Sequence, residues 1–574
     1  MKRGISFTLA SLRYTLVFLG ATLASCDSPA PLEQGPSAKT GSPFPWTVYE
    51  AETTNTSGSV RGPSREYLTP EAEASGRTYV RLDKSGDYVE FAAKEPADAI
   101  VLRYCIPDAE KGGGRDMDIE LLVNGQSRHK IPLTSRFAWI YGDFPWSNDP
   151  SLGKAHHFFD ESQAMVGQIK AGDTLRLQVG ELGPSEYVLL DMIELETVPP
   201  PVVRPEGSLS LTDFGAVPND ARDDSPAFVA CVEAAKKSGA TIWIPEGTFR
   251  LNGPRMKLGG VRIQGAGMWR SKLEGPGTMF DGTGEPLHIA DLAIFGTVDR
   301  RVDNIPENAF HGNLGDGSTF RRIWLEHHKC GFWTTYGTKN MLLSESRLRN
   351  LMADGLNFCD GTSYSTVENC HLRNTGDDAL ATWSPTTPDA AGHPSTGNTF
   401  IGNRIQFPWL ANGLAVYGGK DHRIVGNYVE GGVFSGGGLL LSSGFDAIPF
   451  SGTIRAANNT FKDTGGDCYI GQAIGSLWIY ALHSDIEIPL EIDGLNITQA
   501  RGDAITVHGP KTAKDIRLAN VTVDGAAGNV IRIYPETSGR MQVKALRAGG
   551  YAGQLVENGN PQKFEVILDP PVAP

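Results

Sequence analysis

Residues 376–382 read GDDALAT and repeat, with one aspartate more, the pattern of residues 353–358, ADGLNF. Leu356 and Leu380 are 24 residues apart, and Phe332 lies 24 residues before Leu356. A repeat of this length that carries short strands and turns, without a helical pattern, is typical of a parallel β-helix. One period is therefore interpreted as one coil.

The repeat predicts a cluster of three carboxylates. Asp354 and Asp378 occupy the same place on successive coils, and Asp377 is adjacent to Asp378. Because neighbouring strands lie about 4.8 Å apart, these side chains are expected close together. Carboxyl groups in such a cluster can protonate a leaving oxygen and activate water, which is the chemistry of glycoside hydrolysis.

A purely structural role for these aspartates is the alternative. The corresponding places on later coils hold Asn412, Gly437, Asp503 and Asn529, and Asp, Asn and Gly all suit turns. A turn gains nothing from three crowded carboxylates, however, whereas crowding separates pKa values as an acid–base site requires. Arg373 is the nearest basic residue and could dampen this effect.

The strand pattern imposes one geometric requirement on the cluster. Asp354 and Asp378 have the same parity as the leucines two residues later, so straight strands would turn both carboxylates into the core. A bend is therefore expected at Gly355 and at Ala379, and glycine permits such a bend more readily than alanine.

The composition suits a turn-rich β protein with more than one domain. The sequence has 574 residues, with 68 glycines and 36 prolines. Its formal charge of −14 argues against nucleic acid and strongly acidic polymers as partners, and leaves neutral glycans open. The cysteines other than Cys26 show no C-x-x-C spacing, so a zinc site is not expected.

The N-terminus predicts export. Basic residues precede the apolar run 14–20, YTLVFLG, which is too short to span a membrane. The sequence LASC at 23–26 resembles the bacterial lipobox, which implies a lipidated Cys26 and an exported, membrane-anchored bacterial lipoprotein. An ordinary signal peptide cleaved after Ser25 is the alternative. Residues 1–26 are thus predicted to be a lipoprotein signal peptide, followed by a tether at 27–43.

Three further regions are predicted. Short alternating strands at 44–197 indicate a β-sandwich, a Pro-rich stretch at 198–209 indicates a stiff linker, and the β-helix is expected at 210–574. A short helix at 229–237 would cover the open end of the coil stack. Paired apolar residues mark the coils, at Leu356/Phe358, Leu380/Thr382, Leu414/Val416, Leu439/Leu441, Ile505/Val507 and Ile531/Ile533. The predicted class is all-β, and 384–398 is expected to be an inserted loop.

Two segments of the second half resemble known families. Residues 211–247, with DFGA, DDSPAF and IPEGTF, resemble the entry segment of pectate-lyase-like enzymes, which implies a right-handed parallel β-helix. Residues 353–384 resemble glycoside hydrolase family 87, the α-1,3-glucanases and mycodextranases. The specific feature is one aspartate followed 23 positions later by an Asp-Asp pair. Ala379 stands where the family pattern has glycine.

The resemblance implies an endo-acting, inverting hydrolase of α-1,3-linked glucan that needs no metal or other cofactor for catalysis. By position, Asp377 is the expected general acid, and Asp354 and Asp378 are expected to hold the attacking water as general base. The expected substrate-binding residues are Asn357, Trp383, Asn412 and Tyr417.

Residues 44–197 resemble carbohydrate-binding modules of families 6 and 35, on the stretches YEAE at 49–52, RLDKSGDYVEF at 81–91 and LDMIEL at 190–195. The resemblance implies glycan binding and a possible structural calcium ion in the sandwich, held by Glu50, Glu52 and Asp191. Solvated charges at a strand edge are the alternative. An aromatic group could stack on sugars or fill the core, and consists of Trp139, Tyr141 and Trp146.

Two other functions remain open. A polysaccharide lyase or polygalacturonase-like enzyme can share this fold, but lyases usually use Arg or Lys as base, and residues 354–384 lack a basic pair. The β-helix could also be the scaffold of a non-catalytic glycan-binding surface protein.

Overall fold

The computed structural model describes residues 40–143, 146–182, 187–386, 392–467 and 471–569. The predicted signal peptide, Cys26 and most of the predicted tether lie outside these ranges. Within them, no helix has the length and apolar character needed to cross a membrane.

The first part of the described chain is a sandwich of two antiparallel sheets. One sheet contains Trp46–Glu50, Ser59–Arg61, Tyr79–Leu82, Ala97–Cys105, Asp160–Ile169 and Val188–Glu196. The other contains Asn55–Thr56, Tyr88–Ala92, Asp116–Val123, Gln126–Thr134 and Thr174–Val179. Alternate residues such as Ile100, Leu102, Ile119 and Leu121 are buried in one cluster between the sheets, as expected for strands with a period of two.

The second part is a parallel β-helix, in which each central coil contributes three short strands. One strand of each coil belongs to a sheet that we call the cleft sheet. The cleft sheet consists of Met256–Leu258, Phe280–Gly282, Phe310–Gly312, Phe332–Thr334, Leu356–Cys359, Leu380–Trp383, Leu414–Tyr417, Leu439–Ser442, Leu477–Tyr480, Ile505–His508, Ile531–Ile533 and Val556–Asn558.

The other strands form one long, bent sheet. It consists of Leu209–Ser210, Ile242–Ile244, Gly247–Arg250, Val261–Gly265, Ser271–Glu274, Leu287–Phe295, Thr319–Glu326, Leu342–Ser344, Arg347–Leu351, Thr366–Glu368, His371–Thr375, Thr399–Ile401, Arg404–Gln406, Arg423–Val425, Tyr428–Glu430, Ile454–Ala457, Thr460–Lys462, Ile486–Asp493, Asn496–Ala500, Thr512–Ala526, Ser538–Tyr551 and Phe564–Leu568. A separate hairpin joins Gly466–Asp467 to Ala473–Ile474.

The register confirms the period found in the sequence. Phe332 pairs with Leu356, and Leu356 pairs with Leu380, in parallel strands. The stack continues through Leu414 and Leu439. The predicted coil series was incomplete, because the strand Leu477–Tyr480 lies between those that contain Leu439 and Ile505.

A 14-residue helix, Ser225–Ser238, packs on the first coil. It buries Phe228, Cys231, Val232 and Ala235, which recur at helical spacing on one face. Pro226 at its first turn and the left-handed Gly239 after its end are typical helix boundaries. The helix begins four residues before the predicted 229–237. Other short helical segments are Ala51–Thr53, Pro70–Glu73, Ser75–Arg77, Pro150–Leu152 and Leu211–Phe214.

Buried ion pairs join the sandwich to the β-helix. Arg373 Nη1 lies 2.7 Å from Glu161 Oε1, and Arg349 Nη1 lies 2.8 Å from Glu161 Oε2. Both arginines also pair with Glu194. All four side chains are at most 2% exposed, so each charge depends on its partners. Arg373 therefore points toward the sandwich instead of the aspartate cluster.

The segments that flank the sandwich also pack on the coils. Gly41 N donates to Gly426 O at 2.8 Å, and Val202 N in the Pro-rich stretch donates to Ala266 O at 3.0 Å. The predicted tether and linker are therefore attached to the body of the protein at these points.

Candidate active site

Asp354, Asp377 and Asp378 lie in turns that connect the long sheet to the cleft sheet on two successive coils. All three line a cleft of about 1120 Å³. The prediction that successive coils bring these three side chains together is therefore confirmed.

Asp354 is only 5% exposed. Asn357 Nδ2 donates to its Oδ2 at 2.8 Å, so this predicted substrate-binding residue holds a carboxylate of the cluster. Burial raises the pKa of Asp354 well above its usual range, and the charges of Asp377 and Asp378 raise it further. Asp354 thus favours its protonated form.

Asp378 is 3% exposed and is held from both sides. Its Oδ1 accepts hydrogen bonds from Asn412 N at 3.0 Å and Asn412 Nδ2 at 2.8 Å, and its Oδ2 accepts one from Tyr417 Oη at 2.6 Å. Burial raises the pKa of Asp378 to about 7, with a contribution from the charge of Asp377, although these hydrogen bonds lower it. Asn412 and Tyr417 therefore fix one rotamer of a carboxyl that titrates near neutrality.

Asp377 is paired with a residue that sequence reasoning missed. Arg301 Nη2 donates to Asp377 Oδ2 at 2.5 Å, and Asp378 N donates to Asp377 Oδ1 at 3.1 Å. Burial lowers the pKa of Arg301, but Asp377 and Asp303 outweigh burial and raise it above the usual range. Arg301 is therefore the cation beside the cluster.

The expected bend before each cleft-sheet strand turns the carboxylates outward. Leu356 and Leu380 are fully buried in the core, whereas the aspartates two residues earlier line the cleft. At Gly355 an added Cβ would lie 2.3 Å from Ala379 O and 2.6 Å from Leu372 Cδ2. Glycine is thus required at 355 by close approach of the next coil, while Ala379 is fully buried in the core.

Aromatic side chains line the cleft beside the aspartates. The rings of Trp333 and Trp383 meet edge to face with centroids 6.0 Å apart. Trp383 Nε1 donates to Phe445 O at 2.9 Å, and the Tyr417 ring lies 5.2 Å from the Phe445 ring. The predicted substrate-binding residues Trp383 and Tyr417 are both part of this wall, where flat rings can stack on sugar faces.

The sandwich supplies another part of the lining. Tyr67, Trp146 and His156 all line the cleft. The Tyr67 ring stacks on Phe434 of the β-helix with centroids 4.1 Å apart, and Tyr67 Oη lies 3.1 Å from His156 Nδ1. Stacking on sugars was one of the two alternatives predicted for Trp146, but the sequence did not indicate that the sandwich lines this cleft, because that depends on how the sandwich packs against the coils.

The predicted aromatic group of the sandwich divides into two roles. Trp139 Nε1 donates to Ile106 O at 2.8 Å, and Tyr141 Oη donates to Asp108 Oδ2 at 2.9 Å, so both serve the sandwich. Trp146 instead packs with Trp409 at the cleft.

The predicted calcium ligands lie near one another, but they do not form a complete site. Glu50 Oε2 and Glu52 Oε2 are buried without a hydrogen-bond partner, and burial raises the pKa of Glu50 to about 8 and of Glu52 to about 7. Asp191, in contrast, accepts from Ser75 N at 2.9 Å and pairs with Arg103. The described residues contain no group of three His, Cys, Asp or Glu placed to hold a metal ion.

Two family models match this chain. The model described as alpha-1,3-glucanase catalytic domain D1 matches residues 43–198, and alpha-1,3-glucanase catalytic domain D2 matches residues 227–543. The first match places the sandwich in the catalytic unit of that family, and it does not confirm the predicted carbohydrate-binding module.

Solved structures show the same architecture. The Agl-KA catalytic domain superposes with a TM-score of 0.84 at 27% identity, covering 94% of this chain and 100% of that chain. The catalytic unit of a thermostable GH87 alpha-1,3-glucanase from Streptomyces thermodiastaticus strain HF3-3 gives 0.81 at 30% identity, covering 93% and 98%. A GH87 alpha-1,3-glucanase catalytic domain solved with nigerose gives 0.78 at 24% identity, covering 92% and 98%, and shows the fold alone.

One curated protein also matches, the mannuronan C5-epimerase AlgE3 of Azotobacter vinelandii. It is 26% identical over 179 residues, which are 27% of this chain and 10% of that protein. The chain thus spans about a tenth of the length of this curated relative.

Proposed function

The chain belongs to the alpha-1,3-glucanase catalytic-domain family of glycoside hydrolases, and on this premise we propose that it cleaves α-1,3-glucosidic bonds within α-glucan. The observation that carries the proposal is the cluster of three aspartates in one aromatic-lined cleft. Burial raises the pKa of Asp354 and of Asp378, and Asp377 beside them is paired with Arg301. A cleft that holds crowded carboxyls with perturbed pKa values is a mark of an acid–base site.

The proposed reaction is an inverting hydrolysis. Asp377 donates its proton to the glycosidic oxygen as the bond to the anomeric carbon breaks. Protonated Asp354 and ionised Asp378 hold a water molecule, which loses a proton to Asp378 as its oxygen bonds to the anomeric carbon from the opposite face. No metal or other cofactor takes part in these steps.

The raised pKa of Asp378 makes the reaction rate depend on pH. Asp378 must be ionised to accept the proton of the water, and burial raises its pKa to about 7. The rate is therefore expected to fall as the pH drops below neutrality.

The surroundings of the cleft favour a hydrolase over a lyase. A lyase needs an available Arg or Lys to remove a proton, and the Arg and Lys side chains that line the described cleft are Arg301 and Lys329. Arg301 is bound to carboxylates, and Lys329 Nζ donates to Val302 O, Asp303 O and Ile305 O at 2.5–3.2 Å. Both cations are therefore engaged in holding the structure.

The proposed substrate is a neutral α-glucan bound by both parts of the chain. Trp383 and Tyr417 would stack on sugar rings from the β-helix side, and Tyr67 and Trp146 from the sandwich side. The sandwich would then act as a wall of the active-site cleft, whether or not it binds glycan by itself.

Reducing-sugar release tests the proposal on α-1,3-glucan, nigeran, dextran and polygalacturonate. Wild-type protein is expected to act on the α-1,3-linked glucans, and Asp377→Asn is expected to retain glucan binding but lose turnover. Equal turnover by the two proteins would exclude this site. Release of unsaturated uronate from polygalacturonate would instead indicate a lyase.

Export and lipid anchoring are proposed from residues outside the described ranges. The LASC sequence supports lipidation of Cys26 after signal cleavage. Metabolic labelling with a radioactive fatty acid is expected to mark the wild-type protein and to spare Cys26→Ser, whereas equal labelling would contradict the proposal.

Calcium binding in the sandwich remains a proposal supported by the two unpartnered glutamate oxygens of Glu50 and Glu52. A melting temperature that rises with calcium in wild type but not in Glu52→Gln would support this site, and equal responses would contradict it.

A further inference from the structure

Arg301 occupies a constrained position between the sandwich and the aspartate cluster. It lies between the strands Leu287–Phe295 and Phe310–Gly312, and its side chain is 11% exposed. Its guanidinium carbon lies 5.5 Å from the ring centroid of Trp146 of the sandwich. The segment that follows Arg301 is fastened by Lys329 through three backbone carbonyls. The guanidinium therefore has little freedom to move.

The guanidinium contacts two carboxylates at once. Its Nη2 lies 2.5 Å from Asp377 Oδ2, and its Nε lies 2.8 Å from Asp303 Oδ1. Its Nη1 donates to Gly376 O at 3.3 Å, which fixes the backbone just before Asp377. A planar fork of donors held in this way sets the orientation of a carboxylate as well as its charge, which a lysine could not do equally well.

We infer that Arg301 is a positioning residue that holds the Asp377 carboxyl in one orientation at the cleft. Its Nη2 fixes the carboxylate and its Nη1 fixes the backbone just before it, so loss of this fork is expected to slow the chemical step more than it weakens glucan binding. The assignment of Asp377 as proton donor rests on the proposed function, whereas its orientation by Arg301 rests on the contacts alone.

Other charged groups line the cleft around Asp377. The β-helix contributes Asp354 and Asp378, and the segment with Arg301 contributes Asp303, which shares the guanidinium. The sandwich side of the cleft contributes Asp143 and His156. Among the described charged groups of the cleft, Arg301 supplies the cation that contacts the Asp377 carboxylate.

The test is kcat and KM on α-1,3-glucan for wild type, Arg301→Gln, Arg301→Lys and Asp303→Asn. Arg301→Gln removes the fork from Asp377 and is expected to lower kcat by about 10- to 100-fold while KM changes by less than about threefold. Arg301→Lys keeps the charge without the planar fork and is expected to recover only part of kcat. Asp303→Asn removes the other carboxylate that the guanidinium contacts and is expected to lower kcat by a smaller factor.

Arg255→Gln is the matched control. Arg255 pairs with Asp281, and its Nη2 lies 2.9 Å from His311 Nδ1. Its loss therefore removes the same charge as Arg301→Gln without removing a contact to the three aspartates. Its kcat and KM are expected to match those of wild type. An unchanged kcat in both Arg301→Gln and Asp303→Asn would overturn the inference, and so would a change confined to KM. Asp303→Asn alone decides if Arg301→Gln does not fold.

A structure of the variant separates the inference from the proposed function. If the wild-type protein releases no sugar, the proposed function fails. The crystal structure of Arg301→Gln then decides the inference without turnover. A displaced Asp377 carboxylate would support the inference, and an Asp377 carboxylate in the wild-type orientation would contradict it.

Discussion

The turns that carry Asp378 and Asp503 are built alike but differ in their surroundings. Asp378 Oδ1 accepts hydrogen bonds from the backbone N and Nδ2 of Asn412, and Asp503 Oδ1 accepts the same two from Asn529 at 2.7 and 2.9 Å. In both, an asparagine on the next coil closes the turn. Aspartate in this place is therefore explained by turn structure alone.

The second carboxylate oxygen separates the two turns. Asp378 Oδ2 receives the hydroxyl of Tyr417 and faces a cleft shared with Asp354 and Asp377. Asp503 Oδ2 lies 3.5 Å from the guanidinium of Arg532, and the residue before Asp503 is Gly502. The two turns therefore share one structure and differ in their neighbours. Crowded carboxylates surround Asp378, whereas a cation faces Asp503, so the neighbours decide which turn can carry acid–base chemistry.

The largest expected contrast is in turnover. Asp378→Asn keeps the hydrogen bonds from Asn412 but cannot accept a proton, so kcat on α-1,3-glucan is expected to fall about 10³-fold. Asp503→Asn is the matched control and is expected to keep kcat within about twofold, because it lies outside the described lining of the cleft. Comparable losses in the two variants would break the comparison.

Removal of the tyrosine hydroxyl at the Asp378 turn is expected to have the next largest effect. Tyr417→Phe leaves the ring but removes the 2.6 Å hydrogen bond to Asp378 Oδ2. Loss of a hydrogen bond to a charged group is expected to lower kcat/KM by roughly 10- to 100-fold. Steady-state kinetics checks this, and wild-type values would show that the hydroxyl does not support the base.

The contribution of the Asp378 turn to the free energy of unfolding should change with pH. The pKa of Asp378 is raised to about 7 in the folded state, so its contribution to stability is present below pH 4 and is lost as the pH rises through about 7. Asp378→Asn avoids this loss and is expected to raise the free energy of unfolding at pH 8 by ~2 kcal/mol, with little difference from wild type at pH 4. Urea denaturation at the two pH values measures it. A variant less stable than wild type at pH 8 would contradict the sign.

Replacement of Arg532, the cation beside Asp503, is expected to have the smallest effect on stability. Arg532→Gln removes a partner that is 34% exposed, so solvent screening should limit the loss of unfolding free energy to ~1 kcal/mol. Activity is expected to stay at the wild-type level. A loss of several kcal/mol in urea denaturation would mean that Asp503 depends on Arg532 far more than its exposure suggests.

The sequence was sufficient for the coil register and for the location of the cluster. The 24-residue spacing of Phe332, Leu356 and Leu380 corresponds to strand pairing between adjacent coils, which is local and repetitive. The strand Leu477–Tyr480 was missed because the connection before it interrupts the spacing. Repetition thus predicts the stack where coil lengths are regular.

Residues that act across the fold could not be predicted in this way. Arg301 precedes Asp377 by 76 residues, and Arg373, which is near in sequence, faces the sandwich. The direction in which such a side chain points depends on which face of the β-helix the sandwich covers. The spacing of residues along the sequence does not contain that information. The same reason explains why Tyr67 and Trp146 were not predicted to line the cleft.

The buried arginine–glutamate contacts between the layers also bear on how this architecture can change in evolution. A recombination event that exchanged the sandwich for an unrelated module would leave Arg349 and Arg373 buried without Glu161 and Glu194. Each uncompensated ion would lower the free energy of unfolding by several kcal/mol. The two layers should therefore be inherited as one unit, and diversity should arise instead in the loops around the coils.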